Sequence, residues 1–442
     1  MLLSTMNDFR RCLQTLRASL SKHVRNVSVA LVVGFSATFL SINTAWSSPD
    51  STGHSQTIKV VDLAGRSVDV PVDVKRIILG ESRYIPAIAI LDEQPLSRIA
   101  GMLADFKDTD PGSYRQYRSK FPEIDDIPKI GHASADSFSI ETVLTLKPDV
   151  AIFGLGGHGP TARHSYLIKQ LEKAGIAVIF VDFRVDPLAN TPKSMKLLGE
   201  VLNRKDRAAE FLAFYQHEMA RVNRGLLNKV AAEAKAPNIF IHSRMGLMDL
   251  CCETMVRGMM ASFAEPVGAH NVAAPIVPGA AGVMNLEYLL SFQPDMYIAT
   301  AIGSSNPGTT DTADHFSGNA DNVPPYIVLG AGVKEDVARA SFHHALQAPN
   351  SRGLLQLKAV KEGRAYAIWH HFYNTPLNVI AVQVFAKWLY PQIFADLDPR
   401  QTMQSLFDRF QPVALDGTYW VSLDTPLSNE KEVRRLGAVA ND

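Results

Sequence analysis

Catalytic signatures are scarce in this chain of 442 residues. The sequence has no G-x-S-x-G elbow, no Walker A loop and no H-E-x-x-H pair. It therefore offers no support for the hydrolase, nucleotide-hydrolysing or zinc-protease chemistry that depends on these motifs. We expect a protein that is not an enzyme and that carries no resident cofactor or metal.

Cysteine is also rare, with three residues in the whole chain. Cys12 lies near the N-terminus, and Cys251 and Cys252 are adjacent, a spacing that disfavours a disulfide between them. A disulfide framework is thus excluded, and we interpret the adjacent pair as small buried side chains. An oxidised or metal-bound pair is the alternative, because the surrounding stretch is rich in methionine, a soft-metal ligand.

Long apolar segments are missing apart from one run, Val27–Leu40, whose 14 residues fall short of the ~20 needed to span a bilayer. Five basic residues and one acidic residue precede it, and the small residues Ala45 and Ser47 follow. This order is typical of a secretory signal. We predict a cleavable signal peptide over residues 1–47 and a mature protein in a bacterial periplasm, with a short N-terminal anchor as the alternative.

The remaining chain has no excess of positive charge. Residues 48–442 carry 39 basic and 43 acidic side chains, so nothing favours binding to nucleic acid or to anionic membranes. A chain of this length is too long for one ordinary hydrophobic core, and two domains are expected.

Short apolar runs that alternate with helical stretches predict α/β domains with parallel sheets covered on both faces. Between residues 206 and 234, apolar positions recur every three or four residues without a proline, which predicts one helix of ~43 Å. We predict an N-terminal lobe over 48–205, a linking helix over 206–234 and a C-terminal lobe over 235–442. Two helices broken near Gly225 are the alternative. A polar segment with three prolines, 103–130, is predicted to be a long loop with a short helix around Tyr114–Lys120.

An internal repeat is the most informative feature. Ser139–Ile152 and Asn285–Ile298 align on Glu141 and Glu287, and both continue with an apolar helix, a Pro-Asp pair and a strand. Proline ends the helix in each copy. Each lobe therefore contains one copy of a similar unit.

With these pieces in order, the chain resembles the periplasmic binding proteins for iron siderophores, haem and vitamin B12, in the class whose lobes are joined by a single long helix. The resemblance rests on these segments: Asp62–Arg66, Ser139–Asp149, Leu171–Gly175, Gly268–Ala273, Glu287–Asp295, Trp388–Phe394 and Asp396–Pro399. It implies two Rossmann-like lobes with parallel-type sheets around one backbone helix. It also implies a monomeric substrate-binding component of an ABC importer that delivers an iron complex, most readily a ferric siderophore, to the inner-membrane permease. By the same resemblance, Glu141 and Glu287 dock onto arginines of that permease.

Ligands of such lobes bind beyond the carboxyl ends of the parallel strands. The side chains that follow predicted strands are Arg83, Tyr84, His132, His158, Arg184, Arg244, His370, His371, Phe372 and Tyr373. All of these except His370 and Phe372 are our candidate binding residues. Arginines suit the anionic oxygens of a ferric chelate, and aromatic rings suit a flat organic face. Haem or a corrinoid is the alternative ligand, with His132, His371 or Tyr373 as axial ligand.

The loop Gly154–Gly159 fits G-x-G-x-x-G between a predicted strand and helix. An exported NAD(P)-dependent oxidoreductase is therefore an alternative function. Pro160 follows directly, and the motif does not belong to the first strand-helix unit, so we prefer a glycine-rich loop at the mouth of a cleft.

Overall fold

The computed structural model describes residues 56–231, 235–247, 251–302 and 326–423. The predicted signal segment 1–47 lies outside these ranges. Within them, no helix has the length and apolar character needed to cross a membrane.

The strands, in chain order, are β1 Thr57–Val61, β2 Ser67–Pro71, β3 Ile77–Leu79, β4 Ile99–Met102, β5 Val150–Gly154, β6 Ala177–Val181, β7 Asn238–His242, β8 Glu253–Met255, β9 His270–Asn271, β10 Ala281–Val283, β11 Met296–Ala301, β12 Ala365–Trp369 and β13 Trp420–Ser422. The α-helices are α1 Ile85–Leu91, α2 Asp105–Thr109, α3 Pro111–Lys120, α4 Ile140–Leu146, α5 Ser165–Lys173, α6 Pro187–Val201, α7 Lys205–Ala231, α8 Leu286–Phe292, α9 Glu335–Gln347, α10 Lys358–Lys361, α11 Asn378–Leu389 and α12 Pro399–Phe410.

The first half of the chain forms an antiparallel hairpin, β1-β2, and a four-stranded parallel sheet in the order β4-β3-β5-β6. Every residue of β3, β4 and β5 is buried. Helices therefore cover both faces of this sheet, as a parallel sheet requires.

The second half forms a mixed sheet in the order β10-β8-β7-β11-β12-β13, with β9 beside β7. Its centre, β7-β11-β12, is parallel, whereas β8, β10 and β13 pair antiparallel. The two α/β sheets were predictable from the alternating pattern, but the antiparallel edges of the second were not.

Helix α7 is one continuous helix of 27 residues, about 40 Å long. It packs against α1 and α6, which follow strands of the first sheet, and against α11, which follows strands of the second. Gly225 lies inside it, where an added Cβ would come within 2.2 Å of the Phe394 ring. The alternative of a helix broken at Gly225 is therefore wrong, because this glycine serves close packing.

The prediction of a long loop over 103–130 is wrong in part. The short helix expected around Tyr114–Lys120 is confirmed as α3, which begins earlier, at Pro111, and α2 precedes it. Pro111 is the first residue of α3, a position where its missing N–H is harmless. The Asp110 carboxylate caps the helix by accepting from the Ser113 N–H at 3.3 Å. A proline that marks the start of a helix was interpreted as a loop residue.

The sequence repeat is a structural repeat. Helices α4 and α8 each have seven residues, and each ends on a left-handed residue, Lys147 or Gln293, with φ of 47°. The Asp149 carboxylate then accepts from two backbone N–H groups just before β3, and that of Asp295 accepts from the Asn238 N–H at the start of β7. Each helix is thus fixed to the neighbouring strand of its own sheet.

Cys251 and Cys252 form a disulfide immediately before β8. Our interpretation of two unpaired side chains is therefore wrong. Cys252 is buried and Cys251 is half-buried. The nearby methionines Met245, Met255 and Met260 are buried in the hydrophobic core.

Candidate functional site

Arg83 lies at the centre of a buried polar cluster between the two sheets. Its side chain is only 3 % exposed. Its guanidinium donates to Glu81, to Asp105 Oδ2 at 3.2 Å and to His371 Nδ1 at 3.1 Å. His158 lies at 3.3 Å from the same guanidinium. Residues that follow β3, β4, β5 and β12 therefore converge on one cation, as expected at the carboxyl ends of parallel strands.

The charges in this cluster stabilise one another. Burial favours the neutral form of Arg83, but the charges of Glu81 and Asp105 and contact with Tyr373 outweigh it and raise the pKa. Burial likewise favours neutral Asp105, yet hydrogen bonding from His158 and the charge of Arg83 lower the pKa of that carboxyl. Both groups are ionised at neutral pH.

Glu81, Asp105 and His158 also form a set of possible metal ligands, with ligand atoms within 4.8 Å of one another. Arg83 contacts all three side chains. Since its guanidinium already compensates the carboxylates, the arrangement is an ion-pair network with a cation of its own.

The turn His370–Asn374 brings the C-terminal half of the chain to this cluster. His371 Nε2 bonds to the Thr109 carbonyl at 2.9 Å, and Asn374 Nδ2 donates to Glu81. One short turn after β12 is therefore connected to residues that follow β3 and β4.

The two adjacent histidines of this turn are uncharged at neutral pH. Burial, then His371 and the positive charges of Arg244, Arg184 and Arg83, hold the pKa of His370 well below its usual range. Burial and Arg83 do the same to the pKa of His371. Neither histidine of this turn therefore contributes positive charge at neutral pH.

His370 is fixed by two hydroxyl groups. Its Nδ1 lies 2.9 Å from the Thr300 hydroxyl, and its Nε2 lies 3.2 Å from the Tyr373 hydroxyl. The Thr300 oxygen also accepts from the Arg244 backbone N–H at 2.8 Å. The end of β11 is thereby linked to the end of β12.

Arg184, which follows β6, has no carboxylate partner among the described residues. Its guanidinium lies over the Tyr373 ring, 5.3 Å from the centroid, and its Nη1 is buried without a hydrogen-bond partner. Its carbonyl accepts from the Met259 N–H at 2.8 Å, so this segment touches the C-terminal half directly. An arginine without a counter-ion thus lies at the contact between the two halves.

Further buried polar atoms beside this contact have no hydrogen-bond partner within the described ranges: Glu81 Oε2, Tyr84 Oη and Asn374 Oδ1. A buried donor or acceptor left unsatisfied costs about 1–3 kcal/mol. Such groups in a native protein call for an explanation, and a bound ligand or water that completes their hydrogen bonds supplies one.

The structure brings most of the predicted binding residues together: Arg83, Tyr84, His158, Arg184, His371 and Tyr373. Arg244 lies at the edge of the cluster. Its guanidinium pairs with Glu253 at 3.0 Å, and only its backbone contacts the cluster, through Thr300. His132 is not part of the cluster. Its side chain is 80 % exposed and pairs with Asp108 at 3.9 Å.

His370 also belongs to the cluster, as its position after a predicted strand suggests. Glu81, Asp105, Thr300 and Asn374 belong to the cluster but are not among the predicted site residues. Glu81 and Asp105 come shortly after β3 and β4, so the rule of strand carboxyl ends applies to them too. An anionic ligand favours cations and aromatic rings at those ends, and this criterion leaves carboxylates out.

The glycine-rich loop packs against the turn that carries Glu81 and Tyr84. An added Cβ at Gly159 would lie 2.0 Å from the Gly80 carbonyl, and one at Gly157 would lie 2.3 Å from the Glu81 carboxylate. Helix α5 begins only at Ser165. The loop therefore does not lead directly into a helix N-terminus of the kind that a dinucleotide pyrophosphate needs.

Glu141 and Glu287 lie in the first turns of α4 and α8, and both are exposed. They occupy equivalent positions in the two copies of the repeat and take no part in the buried cluster.

Comparison with known proteins agrees with this architecture. The sequence model of the family described as periplasmic binding protein matches residues 100–240. The TroA-like periplasmic binding protein FepB of Veillonella parvula superposes with a TM-score of 0.68 at 22% identity, over 83% of this chain and 100% of that one. The chain has the fold of a periplasmic binding protein. The predicted resemblance is thus confirmed at this level.

Two further periplasmic binding protein structures share the fold. The molybdate-bound MolA of Haemophilus influenzae has a TM-score of 0.58 at 18% identity, over 81% of this chain and 99% of that one. The Ni(II)-bound CeuE of Helicobacter pylori has a TM-score of 0.56 at 15% identity, over 80% and 95% of the two chains. A comparison with curated protein sequences found no match.

Proposed function

We propose that this protein is the periplasmic substrate-binding component of an ABC importer, and that it binds an anionic iron complex, a ferric siderophore, between its two lobes. The observation that carries the proposal is the Arg184 guanidinium. It is a cation at the contact between the halves, with no carboxylate partner in the described chain and with one buried nitrogen left unsatisfied.

The surrounding groups favour the same ligand chemistry. Arginines bind carboxylate and catecholate oxygens through paired N–H donors. Tyr84 Oη and Asn374 Oδ1 provide further unsatisfied hydrogen-bonding groups beside the arginines. The Tyr373 ring presents an aromatic face, which suits a planar organic chelator.

Ligand titration of the mature protein tests this site. Ferric catecholate and ferric hydroxamate chelates are added while Trp fluorescence is recorded, and native mass spectrometry of protein from its host identifies what co-purifies. We expect Arg184→Met to weaken binding at least tenfold. Arg163→Met, which changes an exposed arginine, should bind like the wild type. Equal binding by wild type and Arg184→Met would refute the assigned site.

The same titration distinguishes the alternatives. Hemin that produces a Soret band and binds more tightly than any ferric chelate would identify a haem protein, and a corrinoid would be recognised by its own visible absorption. Binding of NAD(P) to the mature protein would favour the oxidoreductase.

We further propose that Glu141 and Glu287 dock the protein onto the permease. Both are exposed, they occupy equivalent turns of the repeat, and each helix is fixed to its own sheet. Paired charges on separate lobes steer encounter with a complementary surface.

Charge reversal tests the docking. In Glu141→Arg/Glu287→Arg we expect ligand affinity to be unchanged and transport into cells or proteoliposomes to be lost. The matched control is Glu123→Arg/Glu265→Arg, which reverses one exposed glutamate in each half and should transport normally. Normal transport by the first variant would refute the docking role.

A further inference from the structure

A second group of potential ligands lies in the C-terminal half, outside the cluster around Arg83. The possible ligand atoms of His242, Cys251 and Cys252 all lie within 4.8 Å of one another. Strands β7 and β8 bring them together, because His242 at the end of β7 pairs with Thr254 of β8. The backbone of Cys252 is fixed by two hydrogen bonds with Met284, each 2.9 Å.

His242 is buried, and its ring is held in place by a tyrosine hydroxyl. Its Nδ1 lies 2.6 Å from the Tyr297 hydroxyl oxygen, which also lies 3.2 Å from Met245 Sδ. With Nδ1 held by Tyr297, Nε2 is the ring nitrogen left for a metal. A hydrogen bond on the other ring nitrogen is the usual support of a histidine ligand.

We propose that the reduced Cys251–Cys252 pair, together with His242, forms a binding site for a soft metal ion, Cu(I), which is closed when the two sulfurs are joined as a disulfide. The site opens when a dithiol reduces the Cys251–Cys252 disulfide. The dithiol supplies two electrons and two protons and itself becomes a disulfide. Binding of Cu(I) then forms two copper–sulfur bonds and releases the two thiol protons.

The donor set favours Cu(I) over other ions. Thiolate and thioether sulfur select soft ions, and imidazole suits copper. Structural Zn²⁺ sites almost always have four ligands, whereas three donors converge among the described residues. Ca²⁺ and Mg²⁺ require oxygen ligands, which this group does not offer.

The site neighbours the cleft without sharing its residues. Glu253 directly follows Cys252 and holds Arg244 at 3.0 Å, and Arg244 borders the cluster around His370. Metal binding here is therefore independent of the proposed iron complex and can be tested without it.

The experiment is anaerobic competition of the mature protein with the Cu(I) chelator bicinchoninate, followed by its visible absorbance. Protein reduced with a phosphine should remove one equivalent of Cu(I), and oxidised protein should remove none. His242→Gln should lower the affinity at least tenfold. The control His270→Ala changes an exposed histidine and should match the wild type.

Cys251→Ser/Cys252→Ser should bind no copper. If circular dichroism shows that this variant does not fold, the single variant Cys251→Ser takes its place, because it changes only a half-buried residue. It should also fail to bind the one equivalent of Cu(I). Equal copper binding by the oxidised and reduced wild type, or a full equivalent retained by the folded serine variant, would overturn the proposal.

Discussion

The buried carboxyl of Asp110 gives a quantitative test of the structure. It is 2 % exposed and caps α3 through a hydrogen bond from the Ser113 N–H. Burial raises its pKa to about 6, because Ser113 and the charges of Arg83 and Arg115 only partly compensate the loss of hydration. The perturbation is Asp110→Asn, which keeps an oxygen to cap the helix but cannot ionise.

The sign follows from proton linkage. The folded protein holds this proton more tightly than the unfolded chain, in which the pKa is 3.8. The contribution of this carboxyl to stability is therefore greatest below pH ~4, falls as the pH rises from ~4 to ~6, and stays lower above that. At 1.36 kcal/mol per pKa unit, the difference is about 3 kcal/mol. Asp110→Asn should exceed the wild type by up to that amount at neutral pH and equal it at pH ~4.

The assay is urea unfolding of both proteins at several pH values across this window. The control is Asp398→Asn, which changes the exposed cap of α12, whose carboxylate accepts from the Arg400 N–H at 2.9 Å. We expect its effect to stay within about 0.5 kcal/mol. If the difference in free energy of unfolding between Asp110→Asn and the wild type does not change with pH, the reasoning is refuted.

Three further predictions concern stability. Arg83→Met removes the cation from two buried carboxylates and should destabilise the fold by about 3–5 kcal/mol in urea unfolding; a loss below ~1 kcal/mol would contradict the ion-pair network. Gly225→Ala gains about 1 kcal/mol of helix propensity in general, but here its Cβ meets the Phe394 ring at 2.2 Å. We expect a net loss of about 1–3 kcal/mol, relieved in Gly225→Ala/Phe394→Leu, and a melting temperature above that of the wild type would argue against this packing. His371 has a pKa well below its usual range because of burial and Arg83, so the unfolded chain binds its proton first. As the pH decreases below ~6.5, the contribution of His371 to the free energy of unfolding should decrease by about 1.4 kcal/mol per pH unit. His371→Gln should therefore show a pH dependence shallower by that amount than the wild type; an unchanged slope would count against a neutral buried imidazole.

Local patterns predicted the parts of the fold whose determinants are close in sequence. These parts are the hairpin β1-β2, the repeat around α4 and α8, and the long α7. Each is specified by a residue pattern within one continuous segment of the sequence. The segment before α4 was misjudged because a proline such as Pro111 looks the same in a loop and at the first turn of a helix. Only the cap provided by Asp110 distinguishes them.

The candidate site was only partly predictable for a different reason. The arginines after the strands could be found by position, and the structure gathers Arg83 and Arg184 near one turn. Glu81 and Asp105 neutralise Arg83, whereas Arg184 has no carboxylate partner in the part of the chain that the structure describes. This difference depends on contacts between distant segments. Likewise, adjacency in sequence told us nothing about the disulfide of Cys251 and Cys252 or about the histidine beside it.

The anchoring of α4 and α8 has a practical consequence. Because Asp149 and Asp295 bond each helix to the backbone of its own sheet, we expect each helix to move with that sheet. Spin labels at the exposed positions 141 and 287 would then form a molecular ruler. A change in the distance distribution on adding ligand would report a movement of one sheet relative to the other.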